Sequence, residues 1–383
     1  MIFRMKNKLL ALCVLLSVSL GSFSQVNNPI VTAVPSLSIA PDARAGGMGD
    51  IGAATSPDVN SQYWNPAKYV FMESDAGLSL SYTPWLRKLV TDIDLAFLSG
   101  YYKLDDREAL SMSLRYFSLG NIDLMDQLGY PQGSAHPNEL AVDAAYSRKL
   151  SDKFSASITL RYIYSDLNNG MNLTGGNEMY PGMSVAADIA GYYRLPIALH
   201  GIDGTLGLGL NISNIGAKIS YDNNTTSNFI PTNLRLGGSY EYPIDNYNKL
   251  SVSLDLNKLL VPTPKLNPTA QDQQAYSDLS PLAGIFQSFT VAPGGAKEKL
   301  EEIMWSLGAE YAYNNQFFVR AGYFHESQYK GNRQYFTAGA GFKLNVFQLD
   351  ASYVMSTAPS NPLDQTLRFS LSFDLFGLKN LVK

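Results

Sequence analysis

TLRFSLSFDL (Thr366–Leu375) places Leu367, Phe369, Leu371, Phe373 and Leu375 at every second position, with Arg368, Ser370, Ser372 and Asp374 between them. Successive side chains on a strand point to opposite faces, so this segment has one wholly apolar face and one polar face. TLGLGLNI (Thr205–Ile212) and LSVSLDL (Leu250–Leu256) repeat the pattern. Working outward from these, the alternation predicts fourteen strands, at 76–84, 92–103, 108–118, 139–149, 153–165, 183–195, 204–214, 232–242, 249–258, 304–314, 316–325, 334–344, 347–356 and 365–375. Most run to roughly ten residues, which suits a strand tilted across a bilayer, whereas strands of soluble proteins are commonly about five or six.

The connections alternate in length. Short links are expected at Leu104–Arg107, Leu150–Asp152, Pro196–Asp203, Pro243–Asn248, Asn315 and Asn345–Val346. Long ones are expected at Leu119–Asn138, Asp166–Gly182, Ile215–Pro231 and Leu259–Ile303. A soluble β-protein has no reason to keep its long loops on every second connection. A membrane barrel does, because tight turns face the periplasm and loops face outward. The expected fold is therefore all-β: a 14-stranded antiparallel transmembrane β-barrel, closed so that no strand edge is left unpaired in lipid. An even strand number puts both termini on the periplasmic side of the outer membrane.

Arg4, Lys6 and Lys8, the apolar run Leu9–Leu20 and Ser22-Phe23-Ser24 read as a secretory signal peptide over residues 1–24. The apolar run is shorter than the about 20 residues of a spanning helix. Cys13 lies inside it, preceded by Leu12 where lipidation wants a small residue, so the expected mature chain has no cysteine. Removing residues 1–24 leaves 26 basic against 33 acidic groups, a net charge of −7, which argues against nucleic acid as a partner.

The polar face carries charges of both signs: Asp92, Asp94, Arg115, Asp143, Arg161, Asp188, Arg235, Glu241, Asp255, Glu310, Arg320, Asp350, Arg368 and Asp374 are read as inward. They imply a lumen cross-braced by ion pairs, while Leu, Val, Phe, Tyr and Trp305 face lipid. Residues 25–75 lack the strand pattern and are expected to form an N-terminal plug or hatch ahead of the barrel at 76–383. Within them Gly47-x-Gly49-x-x-Gly52 matches a dinucleotide fingerprint in form, but no strand or βαβ unit surrounds it. Its glycines are read instead as allowing tight bends or close packing against the barrel wall.

Those N-terminal residues carry a resemblance. ARAGGMGDIGAA (Ala43–Ala54) followed by YWNPAKY (Tyr63–Tyr69) looks like the hatch of FadL-like barrels, with Asn65-Pro66-Ala67 as the shared hatch motif. The full mature chain is similar to the PorV (LptO) family of the type IX secretion system. The resemblance implies a non-enzymatic outer-membrane component with no cofactor. Such barrels take up cargo bearing C-terminal signal domains beside a SprA-type translocon barrel and shuttle it to a cell-surface attachment complex. There a PorU-type sortase links the cargo to lipopolysaccharide. The alternative is a FadL-like transporter of hydrophobic small molecules.

The residues themselves offer little for catalysis. His136, His200 and His325 have no metal spacing, and His325-Glu326-Ser327 has no nucleophile elbow around it. The long extracellular loop 259–303 is more informative. Pro262, Pro264 and Pro268 stiffen its start, 296–304 reads as a short helix, and Leu279, Leu282, Ile285, Phe286 and Phe289 put apolar groups on it. These five are the candidate contacts for a translocon or cargo partner, or else a lid over the barrel mouth.

Overall fold

The computed structural model describes residues 27–377, except 89, 126–127, 169–178, 200–201, 224 and 358–362. The expected signal segment, Cys13 and His200 lie outside the described residues. Fourteen strands close into one antiparallel barrel: β1 (Ala76–Pro84), β2 (Asp94–Lys103), β3 (Glu108–Ser118), β6 (Asn138–Lys149), β7 (Phe154–Asp166), β8 (Gly182–Leu199), β9 (Ile202–Gly216), β10 (Asn233–Pro243), β11 (Asn248–Leu259), β12 (Ile303–Tyr313), β13 (Phe317–His325), β14 (Gln334–Leu344), β15 (Phe347–Ser356) and β16 (Leu367–Asp374). Each strand pairs with its neighbours in the chain, and β1 pairs with β16 from Gly77–Asp374 to Tyr82–Phe369 to close the ring. β4 (Ile122–Met125) and β5 (Pro131–Ala135) form a separate hairpin within the loop after β3.

Exposure along each strand runs opposite to that of a soluble protein. On β3, Met112 is 60% exposed while its neighbour Ser113 is 5% exposed. Apolar groups outside and polar groups inside make sense only where the outside is hydrocarbon. Among the described residues no helix is long and apolar enough to cross a membrane.

At the short-turn end, Asp105 accepts from the amides of Arg107 and Glu108, and Asp245 from those of Tyr247 and Asn248. Asn314, Asn315 and Asn345 adopt φ of 53°, 51° and 49°, left-handed positions that asparagine tolerates better than most residues.

Three expectations need correction. Asp92 and Asp94 do not face the lumen. Asp92 sits in the loop before β2, where it accepts from the amide of Asn121, and Asp94 points outward to receive the Tyr82 hydroxyl at 2.6 Å. The inward face of β2 holds Leu95, Phe97, Ser99 and Tyr101 instead, because the hatch offers this strand an apolar neighbour. The expected turn 196–203 is largely strand: β8 and β9 continue their ladder to Leu199–Ile202. The long loop holds three helices, Ala270–Asp278, Pro281–Gln287 and Gly295–Glu301, and Met304 already belongs to β12.

The path of residues 28–75 can be followed through the barrel. Val34 and Leu37 pack with Ala141, Ile163, Ala186, Ile219 and Ile230 at the long-loop end, whereas Tyr69 and Val70 pack with Tyr101 and Ala109 at the short-turn end. Residues 28–75 thus cross the lumen once. Asn28, bonded to Glu298 and Tyr329, lies at the end opposite Asp374.

Candidate functional site: hatch, vestibule and loop crest

The hatch touches the wall backbone to backbone. A Cβ built on Gly209 of β9 meets Ala53 O at 1.9 Å, and one on Gly322 of β13 meets Met48 C at 2.1 Å. Gly47 and Gly339 approach with equal intimacy, a Cβ on either lying 3.0 Å from the other's Cα. Gly49 has φ +79°, and a side chain there would strike the backbone of Tyr323. Glycines on both partners let these two backbones meet.

Asn65-Pro66-Ala67 joins the hatch to three strands. Asn65 Nδ2 donates to Ala53 O at 2.9 Å and Gly191 O at 3.0 Å, while its Oδ1 caps the following 3₁₀ turn by accepting from Ala67 N at 3.1 Å. Pro66 O accepts from Ser147 Oγ at 2.9 Å and Ala67 O from Ser155 Oγ at 2.5 Å. All of these groups except Gly191 are buried, where an unmade bond costs about 1–3 kcal/mol.

Charges complete the attachment. Arg44 makes two bonds to Glu310 (3.1 and 2.9 Å) and one to Asp58 (2.7 Å); Glu310 also receives Arg320 at 2.6 Å, and Arg320 reaches Asp350 at 2.6 Å. Asp50 holds Arg368 and the Tyr335 hydroxyl, each at 2.6 Å. Asp255 accepts from the amides of Gly52 and Ala53. Removing one partner of such a buried pair costs about 3–5 kcal/mol because the other charge is left uncompensated. Burial pushes the Asp42 carboxyl of the hatch up to about 6, although it accepts from Ala45 N and Trp64 Nε1. Burial pulls the Lys68 ammonium down to about 8, and it donates to Gly52 O and Thr55 Oγ1.

Between hatch and loops a cavity of about 80 Å³ remains, floored by Tyr63 and Trp64 and walled by Arg115, Arg161, Arg235, Arg333 and Tyr335. Its lining sets four arginines and the carboxylates of Asp50 and Asp143 among aromatic, aliphatic and uncharged polar side chains.

Over this vestibule the long loop is pinned at two places. On one side Gly284 seats against Phe229, Tyr276 meets the Phe229 ring edge-on at 5.4 Å, and Lys218 donates to the carbonyls of Tyr276 and Ser277. On the other, Glu302 binds Lys258, Lys299 and Thr263, while Glu298 receives Lys330 at 2.6 Å and Asn28 at 3.2 Å. Asn28 N donates to Tyr329 O at 3.0 Å, so the start of the hatch belongs to the same latch.

Of the five apolar loop residues, Leu279 and Ile285 are half-buried, and Leu282 (62%), Phe286 (73%) and Phe289 (51%) stand exposed. Leu282 and Phe286, four apart on Pro281–Gln287, share a face. Leu300, further along the loop, is also exposed.

His325 does not approach a catalytic arrangement. It stacks on Trp305 at 5.2 Å on the outer wall, while Glu326 points inward and takes Arg333 at two bonds of 2.8 Å. Among the described residues no three His, Cys, Asp or Glu side chains are grouped to hold a metal. Sequence reasoning did not single out Asp50, Asp58, Lys68, Glu298 or Glu302. Their segments lack strand alternation, and nothing local marks the partners of Asp50 and Glu298, which lie 318 and 270 residues away.

Fold and lumen together define an outer-membrane β-barrel of FadL-like architecture, closed by an N-terminal hatch. The Pseudomonas putida toluene transporter TodX shares this fold at 12% identity, over 88% of this chain and 98% of TodX, with a TM-score of 0.52. A deltaS2S3 mutant of TodX, a monoaromatic hydrocarbon channel, aligns at 13% identity over 87% and 98%, with a TM-score of 0.50. At such identities the likeness concerns the fold alone. No curated protein matches the chain. The chain belongs to the family of the type IX secretion system protein PorV, whose family model matches residues 22–266. A PorV-family barrel in the outer membrane fits a transport or translocon role.

Proposed function

We propose that this barrel is a non-enzymatic carrier of type IX secretion. It binds cargo bearing C-terminal signal domains beside a SprA-type translocon and passes it to a PorU-type sortase complex at the cell surface, where lipopolysaccharide is the acceptor. The observation that carries the reading is a lumen filled by a bonded hatch beneath a pinned loop whose apolar crest, Leu282, Phe286 and Phe289, faces water. A filled lumen suits a protein that works by binding at its rim rather than by conduction. Exposed apolar groups in a cluster mark an interaction surface. The mixed-charge lumen disfavours the alternative, a transporter of hydrophobic small molecules.

With short turns in the periplasm, the C-terminal end of β16 is periplasmic and the hatch enters from the outer face, beside the crest. Deleting residues 270–295 tests the assignment. The shortened chain should still fold as a barrel and should no longer co-purify with translocon or cargo domains; unchanged co-purification would refute the reading.

A further inference from the structure

We propose that the vestibule is a binding site for an oxyanion, a carboxylate or phosphate group, held between Arg115 and Arg235. Both guanidinium groups line the cavity, and among the described residues neither has a carboxylate in ion-pair contact. The other charges around the cavity are matched: Asp143 with Arg161, Asp50 with Arg368, and Arg333 with Glu326. Glu139, close to Arg115, is turned to the amide of Ser36, and Asp255 to those of Gly52 and Ala53.

Arg115 is 4% exposed. Its Nη1 is spent on the carbonyls of Ser36 (2.6 Å) and Ile39 (2.9 Å), but its Nη2 is buried without a hydrogen-bond partner. Arg235 gives only its Nε, to Asn257 Oδ1 at 2.7 Å. The aromatic floor fixes both groups from the hatch side: the Arg115 guanidinium lies 4.7 Å from the Tyr63 ring centre, and that of Arg235 lies 4.4 Å from Trp64 and 5.5 Å from Tyr63. The two guanidinium groups share the Tyr63 ring and have no carboxylate partner, so an anion in the cavity would offset both charges, and guanidinium forks match the geometry of carboxylate and phosphate oxygens. The cavity has room for about five waters, hence for one such group.

The anion can be free or the headgroup of a lipid-like molecule, and the experiment separates these sources. The mature barrel in a neutral maltoside detergent is dialysed to equilibrium against radiolabelled inorganic phosphate, octanoate or hexyl phosphate. Saturable one-to-one binding of at least one probe is expected. R115Q/R235Q should weaken it by about tenfold or more, while R115K/R235K, which keeps the charges but not the forks, should bind with an affinity between the two. R194Q, on an exposed site near the short turns, should leave it unchanged. Equal binding of inorganic and hexyl phosphate identifies a free ion; preference for octanoate or hexyl phosphate identifies a lipid-borne group. If the double glutamine variant fails to fold, R235Q alone carries the test, because Arg235 makes a single side-chain bond. No binding of any probe to the wild type up to about 10 mM, or equal binding by a folded glutamine variant, would overturn the proposal.

Discussion

Gly209 and Gly322 decide how near the hatch comes to the wall. Either residue changed to Ala places a Cβ within about 2 Å of hatch backbone, which cannot rotate away as a side chain would. We predict that Gly209→Ala or Gly322→Ala costs at least about 1–3 kcal/mol. The loss should register as a lower temperature for the heat-induced gel-mobility shift and as faster proteolysis of residues 35–75. Gly238→Ala is the control: its Cβ would find only Leu208 Cδ2, at 3.9 Å, and should change nothing measurable. Asp42 gives a pH dependence with a definite sign. Its folded pKa, raised by burial to about 6, lies above its ordinary value of 3.8, so the folded state holds the proton more tightly. The burial penalty is absent below about pH 3.8, grows as the pH rises, and is complete above about pH 6. Wild-type hatch stability should therefore fall between pH 4 and 7 relative to that of Asp42→Asn, and parallel profiles for the two proteins would contradict the assignment. The glycine-rich run was legible as a close-packing device from its composition, but its contact surface was not. Gly209 and Gly322 belong to strands whose alternation reads the same with or without a hatch beside them.

At the scale of elements, period-two alternation recovers all fourteen barrel strands because lipid imposes it on one face at every position. It fails where the inward face is apolar, as on β2, because two apolar faces erase the phase and Asp94 then looks like a lumen residue. It also stops short at β8 and β9, where Pro196 suggests a turn although the ladder runs on through it. The helices of the long loop had readable starts. Thr269 and Asp272 form a reciprocal cap, and Ser280 caps the turn that begins with Pro281. Their positions over the vestibule were not readable, since Phe229, Lys218 and Lys330 come from other loops. The crest yields an element-level prediction. Replacing Leu282, Phe286 and Phe289 together by Ser removes exposed side chains only, so the folded barrel should keep its stability to within about 0.5 kcal/mol per site. Co-purification with partners should nevertheless fall by at least about tenfold; a variant that binds as well as wild type would remove the crest from the interface.

Across the whole molecule, the barrel is a frame and the hatch its contents. Ion pairs join the two parts, so neither satisfies these charges alone: Arg44 of the hatch needs Glu310 of the wall, and Arg368 of the wall needs Asp50 of the hatch. The latch through Asn28, Glu298 and Lys330 adds the loop to this unit, joining the entry of the hatch to the base of the crest. A disturbance at the crest therefore has a bonded route to the hatch. The threading also predicts a topology. An epitope inserted after residue 26 should be reached by antibody on intact cells, and one after residue 377 only after the outer membrane is opened. Protection of both tags in intact cells would instead bear out the expectation from strand parity that both termini are periplasmic.

The central claim is that the barrel carries secreted proteins from translocon to surface attachment, and an affinity pull-down of the tagged chain from mild detergent extracts of its native membrane tests it most directly. Recovery of a very large translocon barrel, a sortase and proteins bearing C-terminal secretion domains, all lost with the crest variant, is the result expected. A barrel recovered alone, carrying only lipid or fatty acid, would contradict the carrier assignment and favour a transporter of small hydrophobic molecules.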